Sequence, residues 1–190
     1  LNSINKTYLW KIKFKMDNKS NKNLVLTGMM GVGKSTIGRR LANKLSFKFI
    51  DIDKIIEKQE GCTIRSIFER KSENYFRGLE KKITLKYLKK DKSVIALGGG
   101  AFLNKTIRDT VKKNSTSFWL DININILIKR LTRTKKRPLL LKKNISETVK
   151  KIYYERKRTY SEADFKIRCD VLVTENIISK ILKLYDNPRN

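Results

Sequence analysis

From Asn23 onward, short apolar runs alternate with stretches of helical period. Leu24-Val25-Leu26, Phe47 to Ile52, Val94-Ile95-Ala96-Leu97, Phe118-Trp119-Leu120 and Val171-Leu172-Val173 predict strands buried on both faces. Between them, Ser35 to Leu45 keeps Ile37, Leu41 and Leu45 on one face of a helix. Ser72 to Lys89 and Ser146 to Tyr160 each open with a capping Ser followed by Glu, and a short helix is expected from Lys54 to Gln59. This alternation predicts an α/β domain with a mainly parallel sheet and ligands at the carboxyl ends of its strands. The 190 residues suit one compact domain, placed at residues 23–190, without an internal repeat or a Pro/Gly-rich linker. Residues 1–22 are rich in Lys, Asn and Ser and end in Asp17-Asn18-Lys19-Ser20-Asn21-Lys22, a flexible basic extension that cannot bury much surface. Met16 is a candidate start, and residues 1–15 are then a leader or an extension.

Charge changes the picture less than its size suggests. The chain carries 45 Lys and Arg against 18 Asp and Glu, a net charge of +27, which taken alone points to a polyanionic partner. The excess is spread over ordinary amphipathic helices and not held in one block, so compositional drift is the preferred reading and nucleic acid is not expected as a partner. Without histidine, and with Cys62 and Cys169 far apart, there is no zinc-ligand spacing, and acid–base chemistry must run through Asp, Glu, Lys or a substrate-bound metal. The cysteine usage fits a reducing, cytoplasmic home, and no apolar run is long enough to predict a membrane span.

The strongest chemical signal follows the first strand. Gly28-Met29-Met30-Gly31-Val32-Gly33-Lys34-Ser35 matches G-x-x-x-x-G-K-[ST] at every fixed position. Its glycines let successive amide N–H groups turn around a phosphate, Lys34 brings a point charge to the β- and γ-phosphates, and Ser35 offers a hydroxyl ligand for Mg²⁺. The following helix adds its positive dipole end. Gly31, Val32, Gly33, Lys34, Ser35 and Thr36 are the expected ATP-binding residues of this loop. The motif does not identify the phosphoryl acceptor.

Further along stand Asp51-Ile52-Asp53, Phe76-Arg77-Gly78-Leu79-Glu80, Gly98-Gly99-Gly100, Arg137-Pro138-Leu139-Leu140, and Arg156 four residues before Tyr160. In this order on one phosphate-loop frame, the set resembles the shikimate kinase family, over about Leu24 to Ile167. The resemblance implies a three-layer P-loop kinase fold, with a five-stranded parallel sheet flanked by helices and a mobile lid at about residues 130–145. It implies transfer of the γ-phosphate of ATP to the 3-hydroxyl of shikimate, a step toward chorismate and the aromatic amino acids, with Mg²⁺ as cofactor and a monomeric enzyme.

By resemblance Asp51 holds a Mg²⁺-bound water, making Ser35 and Asp51 the metal residues, while Asp53 receives or orients the proton of the acceptor hydroxyl. The alternative is that one aspartate merely caps the next helix. Arg77, fixed by Glu80, and Arg156 would clamp the substrate carboxylate, with Gly99 and Gly100 presenting backbone N–H groups. The plain alternatives are an i,i+3 ion pair for Arg77 and a solvated helix charge for Arg156. Arg137 would reach the γ-phosphate from the lid beside Lys34, and Arg130 matches the position that stacks on adenine, a helix-surface arginine being the other reading. The competing functions are another small-molecule kinase such as a gluconate kinase, a basic nucleic-acid-binding ATPase, and a degenerate kinase kept as a binding module.

Overall fold

The computed structural model describes residues 22–132, 144–170 and 173–187. β1 (Asn23–Thr27) is buried throughout and stands at the centre of a parallel sheet of five strands in the order β2-β3-β1-β4-β5. β3 (Ser93–Ala96) and β4 (Ser115–Asp121) flank it, pairing Leu26 with Ala96 on one side and with Phe118 on the other. β2 (Lys48–Asp51) and β5 (Phe165–Arg168) form the edges.

The last strand differs from expectation. β5 occupies residues 165–168 rather than 171–173; Val171 and Leu172 lie outside the described residues, and Val173 stands at the start of the final helix. The cause is its position at the edge: Phe165 and Ile167 turn inward while Lys166 and Arg168 face solvent. A strand with one wet face alternates and shows no continuous apolar run.

Eight α-helices are described. α1 (Lys34–Leu45) buries Ile37, Leu41 and Leu45 and packs on the sheet and on α8 (Thr174–Asp186). α2 (Ile52–Glu60) and α3 (Ile64–Arg70) form a small lobe with α4 (Glu73–Leu88). α4 also packs on α5 (Lys105–Asn114), which covers β4 on the face opposite α1. α6 (Ile124–Thr132) and α7 (Ile145–Tyr160) pack together beyond the carboxyl ends of the strands.

Ser72 caps α4 as expected, accepting from the N–H of Tyr75. α7 is capped by Asn144, which accepts from the N–H of Glu147, so Ser146 lies inside the first turn and not at the cap. Both residues can cap; Asn144 stands three residues before the amide it receives, the spacing the motif requires. The expected lid falls mostly at 133–143, and Arg137 with it, outside the described residues, as do residues 1–21. Among the described residues no helix is long and apolar enough to cross a membrane.

Candidate active site

The phosphate loop joins β1 to α1, and its shape depends on glycine where backbone meets backbone. Gly28 has φ 129°, and a side-chain carbon there would stand 2.5 Å from the carbonyl oxygen of Leu120. Gly31 lies under Leu131 and Leu127 of α6, so that helix packs against the loop. Lys34 is buried, its Nζ donating to the carbonyls of Gly28 at 2.8 Å and Met29 at 2.9 Å. Ser35 Oγ donates to Asp51 Oδ2 at 2.6 Å.

Asp51 ends β2 and also caps α2, accepting from the N–H of Lys54. The capping alternative therefore holds for Asp51, and its second oxygen faces Ser35. Asp53, two residues on, points to a different neighbourhood: a side-chain carbon at Gly98 would come within 2.7 Å of Asp53 Oδ1 and 2.3 Å of Glu80 Oε1. The two aspartates thus have different surroundings: Asp51 ends β2 and caps α2, whereas Asp53 lies in the first turn of α2, where residues two apart point to roughly opposite sides of the helix.

α4 supplies Arg77 and Glu80 on one face. Arg77 Nη1 donates to Glu80 Oε2 at 2.8 Å, while Nε and Nη2 both donate to Glu73 Oε1. Its guanidinium also lies 5.1 Å from the centre of the Phe76 ring. Of the five N–H groups of a guanidinium, this leaves one on each terminal nitrogen. Glu80 is almost fully buried, and its Oε1 has no hydrogen-bond partner among the described residues. Burial pushes its carboxyl above the ordinary glutamate value and Asp53 adds to the rise; the charges of Arg77 and Arg156 oppose it.

α7 supplies Arg156, also buried, whose Nη1 donates to the carbonyl of Gly99 at 3.0 Å. Tyr160, one turn on, donates its hydroxyl to the same carbonyl. None of Gly98, Gly99 and Gly100 needs a positive φ. Instead the neighbours exclude side chains: Glu80 and Asp53 crowd Gly98, and the Arg77 guanidinium would meet a carbon at Gly100 at 2.5 Å. The segment forms a turn closed by the Ala101 N–H donating to the Gly98 carbonyl at 3.1 Å, and close approach of neighbours explains glycine at Gly98 and Gly100.

These groups line one open cleft of about 600 Å³. Ser35, Asp51, Asp53, Arg77, Gly99, Gly100 and Arg156, each expected from the sequence, meet there. Gly31, Val32, Gly33, Lys34 and Thr36 stand beside it in the loop and the first turn of α1. Arg130 is exposed on α6 and outside the cleft lining, its nearest described consequence being a lowering pull on the Cys169 thiol, which burial pushes up to about 12. Sequence reasoning does not single out the apolar wall. Phe68 of α3 joins Phe76 and Met30 there, and the available signal is the spacing of Ile64, Ile67 and Phe68 on one helical face.

The Ser35 hydroxyl and the Asp51 carboxylate suit a hard divalent cation that keeps most of its waters and binds through substrate phosphates. Among the described residues there is no cluster of three or more His, Cys, Asp or Glu to form an all-protein cage. The donor set fits Mg²⁺.

The sequence profile described as shikimate kinase matches residues 30–186. The chain belongs to the shikimate kinase family. A shikimate kinase of Sulfurihydrogenibium sp. is 42% identical over 161 residues, covering 85% of this chain and 96% of the relative. One from Bartonella quintana is 44% identical over 144 residues, 76% of this chain and 69% of the relative. Among solved structures, the shikimate kinase from Acinetobacter baumannii in complex with shikimate superposes with a TM-score of 0.86 at 30% identity. That match covers 92% of this chain and 98% of the other. A gluconokinase from Sinorhizobium meliloti superposes with a TM-score of 0.53 at 14% identity, a likeness of fold alone. Members of the shikimate kinase family are ATP-dependent phosphotransferases, and this chain is one of them by sequence and fold.

Proposed function

We propose that this chain transfers the γ-phosphate of ATP to the 3-hydroxyl of shikimate, with its own residues in the following roles. The observation that carries the reading is a single cleft whose lining brings together Met30 and Ser35 of the phosphate loop, Asp53, and the two arginines Arg77 and Arg156. The amides of Gly31 to Thr36 receive the ATP phosphates, and Lys34 leaves its loop carbonyls to meet the β- and γ-phosphates. Ser35 would ligate Mg²⁺ and Asp51 would hold one of its waters, and the metal would supply charge neutralisation across the phosphates.

Arg77 and Arg156 grip the shikimate carboxylate, and the Gly99 and Gly100 amides stand within the same wall. Phe68, Phe76 and Met30 cover the ring. So oriented, the 3-hydroxyl lies in line with the γ-phosphorus: its oxygen bonds to phosphorus as the bond to the β,γ-bridging oxygen breaks. The hydroxyl proton passes to Asp53, and ADP leaves with the bridging oxygen. Arg130 stacks on adenine from α6, which packs against the loop, and Arg137 reaches the γ-phosphate.

The test is ADP release by the purified protein with MgATP, with and without shikimate, and with gluconate and AMP in parallel. Stimulation by shikimate at least a hundredfold above the other two acceptors is the expected result. Equal stimulation by gluconate would sink the acceptor assignment and leave the phosphate loop standing.

A further inference from the structure

We infer that Tyr160 is a positioning residue for the acceptor: its hydroxyl locks the Gly99–Gly100 peptide so that the Gly100 amide faces the substrate carboxylate. The inference rests on the reading of the cleft as the shikimate site. Tyr160 ends α7 fully buried, its ring inclined against Trp119 at a centroid distance of 6.1 Å. Its hydroxyl donates to the Gly99 carbonyl and lies 3.9 Å from the sulfur of Met29 in the phosphate loop. Burial raises its pKa, so it stays a protonated donor across the working range.

The Gly99 carbonyl is thereby held by two donors from one helix, Tyr160 and Arg156. In a planar trans peptide the C=O and the next N–H point in opposite directions. Fixing the carbonyl of Gly99 toward α7 therefore turns the N–H of Gly100 away from α7. Gly100 also stands against the Arg77 guanidinium, which a side-chain carbon there would meet at 2.5 Å. No hydrogen bond is made by the amides of Gly99 or Gly100 to the described residues, although both line the cleft. A carboxylate placed there meets a guanidinium and a backbone N–H together. Glycine is the residue with the most backbone freedom to lose, so a three-glycine turn needs an external lock to keep one peptide plane. Tyr160 holds the carbonyl independently of Arg156, whose remaining N–H groups face elsewhere.

The test is Tyr160→Phe, which keeps the ring against Trp119 and removes the lock. The KM for shikimate rises about five- to tenfold, while kcat and the KM for ATP stay within about twofold, as loss of one orienting hydrogen bond predicts. With the neutral carboxamide of shikimate as acceptor the two proteins differ by less than about twofold, which a merely structural role would not predict. An unchanged shikimate KM, or an equal rise in the KM for ATP, overturns the inference. A second measurement does not depend on the variant's folding. With ¹⁵N-glycine labelling of the wild-type chain, which holds nine glycines, shikimate should shift the Gly100 amide resonance strongly downfield. A stationary Gly100 resonance overturns the inference even if turnover is normal, whereas absence of shikimate turnover by the wild type overturns the acceptor reading itself.

Discussion

Asp53, Arg77 and Arg156 share a cleft but should fail differently when changed. If Asp53 takes the proton as proposed, Asp53→Asn should keep the shape but lower kcat by about 10²–10⁴ with a KM change of a few-fold. On the proposed roles, Arg77→Ala or Arg156→Ala would remove a charged hydrogen bond to the acceptor and should raise its KM by at least about tenfold. Steady-state kinetics on the three variants separate these outcomes, and equal losses in kcat would refute the division of labour. Gly98→Ala drives a methyl into Glu80 and Asp53 and should lower kcat/KM by about a hundredfold, since displacing Asp53 by an ångström is enough. Glu80 adds a pH dependence. Its carboxyl, raised by burial and by Asp53 against the pull of Arg77 and Arg156, binds its proton more tightly in the fold than in the unfolded chain. Its contribution to stability is therefore full below the unfolded value and is lost as pH rises through the folded one. In function the direction is opposite, because protonation weakens its hold on Arg77: kcat/KM for shikimate should fall on the acid side, with an inflection above the ordinary glutamate value. Glu80→Gln should abolish that inflection, and its persistence would assign it elsewhere. Most of these residues were legible because family motifs preserve types at fixed spacing. The double role of Asp51 was not, since capping and facing Ser35 use two oxygens of one group.

At the scale of elements, the strands inside the sheet, β1, β3 and β4, read as plain apolar runs. Of the two edge strands, β2 is still legible from Phe49, Ile50 and the apolar residues flanking it, whereas β5 alternates and lies at 165–168, not 171–173. α3 is only seven residues long, too short for its period to stand out, yet it brings Phe68 to the cleft. The turn after α7 is fastened by Asp164, whose Oδ2 accepts from both the N–H and the hydroxyl of Ser117 in β4, at 2.8 and 2.6 Å. Ser117 is fully buried. Asp164→Ala would leave two buried donors unpaired and should cost about 1–3 kcal/mol, read as a lowered denaturant midpoint with unchanged m-value. Because α7 carries both Arg156 and Tyr160, the same variant should raise the shikimate KM more than the ATP KM. A loss of stability with both constants unchanged would show that the turn anchors the fold without registering the clamp.

Over the whole molecule, the net charge of +27 acts on two anionic substrates. Exposed charges are screened beyond about 10 Å at 0.1 M salt, so the diffuse excess should speed encounter without adding contacts. Raising ionic strength should then lower kcat/KM for ATP by about tenfold or less while kcat holds, measured with added potassium chloride. A kcat that falls in step would place the salt effect in the chemistry instead. The sequence displayed this charge fully but not its use, because composition carries no geometry.

The seat of Trp119 has an optical meaning. Its indole touches Gly28 of the phosphate loop on one side, tilts against Tyr160 on another, and lies under the ammonium of Lys166 at 4.3 Å. Indole emission responds to nearby charge and packing, so nucleotide arriving at the loop and acceptor arriving at α7 would each perturb the same fluorophore. The chain holds two tryptophans, and replacing Trp10 by Phe would leave a single intrinsic reporter in which the two binding events, and any coupling between them, could be read without a label.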